Sequence, residues 1–430
     1  MARVKKHTII GNSAAGLSAI KAIRKSGDSR PIVLISAEKC NAYSPVLTTY
    51  YIGDEIKKSQ LFLAGDGFYK KHQVQTIFGR RVETVDPDNR RIYLDDRSRL
   101  DYDDLLIASG ASARDLDHVD PDASKYVSTL RTIADADKIK AVGEKAEKVV
   151  AIGAGLVSLQ TIKAMLGKRL EMTLVVGSEQ VLSQQMDRES AFIIQEKLAA
   201  RGVDILFGRE VTNVCCQGGR AQVVTSYGES LAADLVVVGK GVRPNTEMVK
   251  HTAIRTNYGI LVDGRMRTNL EDIYAAGDVA EGKNEITGEM EVIATWFNAC
   301  AQGEIAGFNM AGRPARRQGQ FRENVTTLLG VVVASIGESK PEFGRYEELR
   351  HADFKHSELR KLYLDDSCII GALLVGKAHD AGVIRHCIAN RIDISPWKNR
   401  IATAPMDFGK ILCNQGLKPW PSFSNEPNTT

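Results

Sequence analysis

What this 430-residue sequence lacks narrows it first. Its seven cysteines, Cys40, Cys215, Cys216, Cys300, Cys368, Cys387 and Cys413, form no CxxC, no CxxxxC and no metal-like spacing. That excludes a disulfide scaffold and any metal or iron–sulfur motif within the chain, and scattered reduced thiols in a cytoplasmic protein are expected. No apolar run reaches the length of a membrane span. Behind the basic start at residues 1–6, only residues 8–10 are apolar before Gly11, too short for a signal-peptide core and already strand-like. The net charge of +4 is spread over both signs without a basic stripe, which gives no footing for nucleic acid.

What is present is a long chain of ordinary globular composition, 43% apolar and 26% charged, with 37 glycines. It is too long for one core, so two or three domains are expected. Residues 4–10 read as a strand, 11–16 as a turn, 17–25 as a helix and 31–36 as a second buried strand, closing a βαβ unit. Short strands follow at 74–85, 91–94 and 105–108, the first two bracketing Asp86-Pro87-Asp88-Asn89. After a polar linker at 114–123 the plan begins again: strand 148–152, turn 153–158, helix 159–166, strand 172–176, helix 189–201 and strand 235–238. A third region from residue 319 carries a strand at 331–336 and a hairpin of 362–364 with 368–375, then a helix at 379–390. The tail from Pro421 reads as loose.

Two turns carry the chemistry. In Gly11-Asn12-Ser13-Ala14-Ala15-Gly16, Gly11 permits the tight turn and Gly16 lets helix and strand pack closely. Ser13, Ala14 and Ala15 are small enough for backbone to approach a pyrophosphate at the helix N-terminus, although Ser13 stands where a second glycine is usual. Glu38, 22 residues after Gly16 and at the end of the second strand, is placed for both ribose hydroxyls. Gly153-Ala154-Gly155-Leu156-Val157-Ser158 repeats the context with Ser158 for the third glycine. Its second strand ends in Val175-Val176-Gly177-Ser178, with no carboxylate, and Glu179 is the nearest candidate. No arginine cluster follows to seize a 2′-phosphate, so NADP is not favoured either; NAD is the cofactor expected here, with NADP left open and a dinucleotide fold without a working site as the alternative.

The order of motifs resembles the pyridine nucleotide-disulfide oxidoreductase superfamily. The run from Asp103 through Ala108, Ser109 and Gly110 is similar to the segment that closes the first half of the FAD domain there. Residues 237–246, with Gly241, match the return from the NAD domain. Ile273-Tyr274-Ala275-Ala276-Gly277-Asp278-Val279 is similar to the second FAD motif, whose Asp hydrogen-bonds the ribityl chain. Trp296, Ala299, Gln302-Gly303 and residues 309–312 match the helix against the flavin. The resemblance covers about residues 5–380. It implies an α/β protein with two Rossmann-type three-layer domains and a small α/β C-terminal interface domain. The FAD domain would comprise residues 1–113 and 235–318, the NAD domain 114–234, and the interface domain 319–430. It further implies Ser44, Pro45 and Val82 as FAD-site positions and Gln160 near the nicotinamide.

Disulfide reductases of this architecture carry a cysteine pair facing the flavin soon after the Glu38 region, and coenzyme A reductases a single cysteine. Here Tyr43-Ser44-Pro45-Val46-Leu47-Thr48-Thr49 has none, and the family's basic residue near flavin N5 is missing too. Cys40 follows Glu38 too closely and is expected to be idle, like Cys215 and Cys216. The resemblance therefore implies the thiol-less subgroup that acts on rubredoxin, ferredoxin or other iron–sulfur partners, together with the flavin portion of NADH-dependent nitrite reductases. The expectation is an FAD-dependent NAD(P)H:acceptor oxidoreductase serving an iron–sulfur electron-transfer protein or subunit, with no general acid, base or metal nominated. An oligomer or hetero-complex is expected, such as an anaerobic-type 2-oxoacid dehydrogenase. A stand-alone NADH oxidase and a non-catalytic assembly flavoprotein are the rivals. The extension 392–430, with Trp397, Phe408, Cys413 and Trp420, reads either as a docking element or as cover for the FAD domain. The basic run Arg313, Arg316, Arg317 and Arg322 reads as a solvated loop or a steering patch.

Overall fold

A computed structural model describes residues 5–317, 319–342, 344–401 and 403. Along the chain run β1 (His7–Ile10), α1 (Ala14–Lys25), β2 (Ile32–Ser36), β3 (Val74–Phe78), β4 (Asp104–Ile107) and β5 (Val127–Thr129). Then come α2 (Ile133–Gly143), β6 (Lys148–Ile152), α3 (Leu156–Met165), β7 (Glu171–Val176), β8 (Val203–Phe207), β9 (Leu235–Val238), β10 (Ile273–Ala275) and α4 (Trp296–Met310). Strands buried on both faces read as unbroken apolar runs, and β2 (Ile-Val-Leu-Ile-Ser) and β9 (Leu-Val-Val-Val) are buried along their whole length.

The first sheet has the order β10-β4-β1-β2-β3 and the second β8-β7-β6-β9-β5, every pairing parallel. Each sheet also has an antiparallel three-stranded meander between its outer strand and its return: 82–101 after β3, and 211–233 after β8. The duplication expected from the sequence is thus complete down to the crossover. Three readings need correction. The run 74–85 is two strands, because Gly79 takes a positive φ of 72° and turns the chain. Both motif helices begin earlier than expected, at Ala14 and Leu156, inside the glycine turns. Strand β9, assigned to the first domain, pairs with β6 in the second sheet, so the chain returns after Val238 rather than before Leu235.

Both parallel sheets fall in one compact unit, Met1–Gln184 with Ala191–Arg322. The other unit joins Gln185–Ser190 to the chain from Glu323, so its first piece comes from a stretch assigned to the second dinucleotide domain. It is a five-stranded antiparallel sheet with the helix Ala381–Ala389. Its interior holds charge in pairs. Arg360 forks onto Asp380 at 2.9 and 2.6 Å, and Lys361 meets Asp187 at 2.5 Å and Glu189 at 2.7 Å. Trp397 lies in a short turn of helix, half-buried. Phe408, Cys413, Trp420 and the tail from Pro421 lie outside the described residues.

Candidate functional site

The first cradle is built from backbone brought unusually close. Gly11 donates to the Ile35 carbonyl at 2.8 Å, while Ala108 donates to Ile10 at 2.7 Å, so β1, β2 and β4 all end at this turn. Gly11 has φ of 119°, and a Cβ there would land on the Ala108 carbonyl. Ser13 caps α1 in extended conformation without a side-chain hydrogen bond, and the first turn carries no acid. The N–H groups of Ala14, Ala15 and Gly16 therefore face outward past small side chains, which is the donor set a pyrophosphate requires. Beneath them α4 crosses α1 with no side-chain layer between. A Cβ at Gly303 would stand 2.7 Å from Ala15 Cα, and one at Gly307 2.8 Å from Ala19 Cα. Gly277, at φ 83°, is 3.3 Å from the Ala15 methyl by the same measure, and its N–H donates to the buried Gln302 amide at 2.7 Å.

Around this turn stand the charged groups. Glu38, exposed on one side, accepts from Tyr43 Oη at 2.9 Å, and that oxygen accepts in turn from the first N–H of α2, Ile133, at 3.2 Å. Desolvation by the protein on its other side pushes the Glu38 carboxyl up, and the charge of Asp135 adds to this. The Tyr43 bond and the Arg131 charge oppose it. Desolvation also drives the Tyr43 phenol far up, so it stays a donor. Asp278 is held by Arg131, Nη2 to Oδ2 2.6 Å, beside Gly110. Arg131 was missed by sequence reasoning, although one signal was there. It immediately precedes the capping box Thr132–Asp135, where a cation opposes the helix dipole and needs an anion elsewhere.

The other expected positions distribute as follows. Val82, buried, opens the meander just after Arg80, whose N–H bonds the Ser36 carbonyl beside Glu38. Ser44 is buried and precedes a 3-10 turn begun by Pro45, and Thr48 bonds back to the Pro45 carbonyl at 2.7 Å. Ser109 and Gly110 are tied to the returning chain: Asn245 donates to the Ser109 and Gly110 carbonyls at 2.9 and 3.0 Å, and at the other end of the same antiparallel pair Gly241, at φ 87°, accepts from the Arg114 N–H at 3.0 Å. Trp296 opens α4 half-buried, its cap Thr295 making no side-chain bond and its first turn free of acid. Cys40 has a thiol raised chiefly by burial and then by Glu38, the reverse of an activated nucleophile. The basic run is largely engaged within the chain: Arg322 on Glu291, Arg317 on Asn298 and Arg313 over Phe308.

The second cradle repeats the first. Gly153 donates to Val175 and Gly239 to Ile152, both at 2.8 Å, and Gly153 has φ of 86°. Gly155 caps α3 in extended conformation, again with no acid in the first turn. Leu156 and Gln160 are half-buried and Val157 is exposed on that helix. Ser158 is fully buried with its Oγ unpartnered, lying where a Cβ on Gly239 would go, so Gly239 assumes the third glycine's packing task. Glu179 is exposed, near Gly208. Among the described residues no cluster of three His, Cys, Asp or Glu is placed to hold a metal, and no helix is long and apolar enough to cross a membrane.

Two parallel sheets, each ending in a glycine turn and a helix start without a side-chain cap bond, give the plan of a protein that holds two dinucleotides. The chain belongs to the pyridine nucleotide-disulphide oxidoreductase family, whose model matches residues 5–303, and it is an FAD-dependent NAD(H) oxidoreductase. It is 28% identical over 412 residues to the epsilon subunit of NADH-dependent phenylglyoxylate dehydrogenase from Aromatoleum evansii, covering 95% of this chain and 97% of that one. To rubredoxin-NAD(+) reductase of Pseudomonas putida it is 28% identical over 336 residues, 77% and 86% of the two chains. A solved ferredoxin reductase from Rhodopseudomonas palustris shares the fold with a TM-score of 0.86 at 24% identity, covering 94% of this chain and 99% of that one.

Proposed function

We propose that the chain passes electrons between NAD(H) and an iron–sulfur protein or subunit, as the cytoplasmic flavin subunit of a larger complex of the 2-oxoacid dehydrogenase kind. The observation that carries this reading is the segment after Glu38, where buried Ser44, Thr48 and Thr49 stand in place of a thiol and Cys40 is suppressed. Without a thiol relay, electrons leave the flavin directly for a partner. The near full-length likeness to a dehydrogenase subunit, and the likeness to a rubredoxin reductase, support the class of partner.

FAD, when bound, supplies hydride exchange between its N5 and nicotinamide C4, and single electrons to a metal centre. The chain's own groups would divide the task. Ser13 to Gly16 offer N–H donors to the pyrophosphate, Glu38 accepts from the adenosine ribose, and Asp278 with Arg131 holds the ribityl chain. The start of α4 at Trp296 stabilises negative charge near the ring. Gly153, Gly155, Leu156 and Val157 hold the nicotinamide dinucleotide, and Gln160 orients its carboxamide. The FAD domain then comprises the first sheet with α1 and α4, and the NAD domain the second sheet with α3.

The test is an anaerobic titration of the FAD-loaded protein with NADH. Bleaching of the flavin, slow recovery in air and fast recovery with an oxidised ferredoxin are expected. Fast recovery in air alone assigns an NADH oxidase instead, and a flavin that stays oxidised refutes both, leaving an assembly role.

A further inference from the structure

The two cradles share one hydrogen-bond register, and they differ at the end of the second strand. Gly11 and Gly153 donate to Ile35 and Val175. Arg80 and Arg209 donate to the Ser36 and Val176 carbonyls at 3.0 Å each, and Gly79 and Gly208 to the Glu38 and Ser178 carbonyls at 3.1 and 3.3 Å. Residue for residue, Ser178 stands where Glu38 stands, and Glu210 where Arg81 stands. The carboxylate that closes β2 has no counterpart borne by β7.

A carboxylate is nevertheless present at the end of β7. Gly177 has no side chain, and a Cβ built on it would fall on Glu210 Oε1, with Glu210 Cδ only 2.9 Å away. Glu210 thus fills the side-chain space of residue 177, the counterpart of Ala37 and one residue before that of Glu38, from the exit of the neighbouring strand β8. Lys240, two residues past the end of β9, holds it with Nζ 3.0 Å from Oε2. The Glu210 backbone is fixed to Ser226, donating to its Oγ at 3.3 Å and accepting from its N–H at 2.8 Å. Arg209 points elsewhere, paired with Glu229 and stacked 4.2 Å from the Tyr227 ring.

We propose that Glu210 is the carboxylate that receives the adenosine ribose hydroxyls of NAD(H) in the second cradle, reaching the end of β7 through the gap left by Gly177. The inference rests on the reading of that cradle as a nicotinamide dinucleotide site. An anion at the end of the second strand accepts from a ribose 2′-hydroxyl and repels a 2′-phosphate, so Glu210 sets selection of NAD(H) over NADP(H). Lys240 has its charge answered while Glu210 is ionised, and becomes an open cation for a phosphate when that partner is neutralised.

The experiment measures equilibrium binding of NAD+ and NADP+ to the oxidised, FAD-loaded protein by calorimetry. E210Q is expected to weaken NAD+ by about 10- to 100-fold, the worth of a charge-assisted hydrogen bond, and to narrow or reverse the preference over NADP+. G177A leaves Glu210 in the chain but pushes its carboxylate aside, and should move the ratio the same way. Adding G177D to E210Q should restore NAD+ binding. An unchanged NAD+/NADP+ ratio in both E210Q and G177A overturns the proposal, as does a loss that follows E179Q instead. A wild-type holoprotein that binds neither nucleotide overturns the nicotinamide reading of the cradle, and this inference with it.

Discussion

Replacing Gly303 by alanine tests the packing on which the first cradle rests. Alanine in a helix interior normally stabilises by about 0.5–1 kcal/mol over glycine. Here the added methyl would stand 2.7 Å from Ala15 Cα and 2.8 Å from its carbonyl carbon, atoms that no rotamer change can move. Ordinary carbon contacts lie near 3.5–4.0 Å, so α4 and α1 must part by about 1 Å. Overpacking of that kind costs about 1–3 kcal/mol, and the net is a loss of up to about 2.5 kcal/mol. The displacement falls on the first turn of α1, so FAD binding should weaken about tenfold as well. Urea unfolding of the holoprotein reads the first quantity, and recovery of flavin fluorescence on dilution reads the second. Gly382 supplies the contrast: a Cβ there meets nothing within 4 Å, and G382A should stabilise its own unit. A G303A protein that is more stable than wild type and holds FAD equally well would refute the reasoning.

Three further outcomes are expected. R131A leaves the mostly buried Asp278 carboxylate without its cation, so FAD should dissociate about tenfold more readily, with R131K recovering part of the loss by equilibrium dialysis. Arg350 and Lys361 lower the Glu189 carboxyl to about 2 from its ordinary 4.5. A depressed carboxyl contributes stability above its unfolded value, so up to about 3 kcal/mol, less what solvent screening removes, should vanish from the second unit as pH falls from about 5 to 2, and a flat stability profile there would contradict the pairing. C40S should leave NADH-driven bleaching of the flavin within about twofold of wild type, because no electron passes through that thiol. Loss of bleaching in stopped flow would count against that route.

The sheets and glycine turns were legible in the sequence because strands buried on both faces read as apolar runs, as residues 149–152 of β6 do. Gly11 and Gly153 added to this, since each takes a positive φ where only glycine is at ease. Strand ends were less legible. Nothing in residues 74–85 separates a bend from a continuous strand until Gly79 adopts its positive φ, and β9 gives no local sign of which sheet it joins. Among the candidate site groups, Glu38 and Asp278 follow motifs at fixed offsets, which spacing can find. Arg131 reaches its place by pairing with Asp278 across 147 residues, and Glu210 reaches its own by lying over Gly177 from another strand's exit. Spacing along the chain carries no trace of contacts made that way.

The bare crossing of α1 and α4 has a metrical consequence. Gly303 meets Ala15 and Gly307 meets Ala19, so the two helices run in the same direction and keep step with each other. Gly303 is seven residues into α4 from Trp296, whereas Ala15 is one residue into α1 from Ala14. At 1.5 Å per residue, α4 therefore begins about 9 Å ahead of α1. Two positive helix ends stand on one side of the pair at a fixed stagger, with no side chains between them to slide or compress. The crossing works as a caliper: it sets how far apart two electron-rich parts of a single ligand must be for both to be met at once.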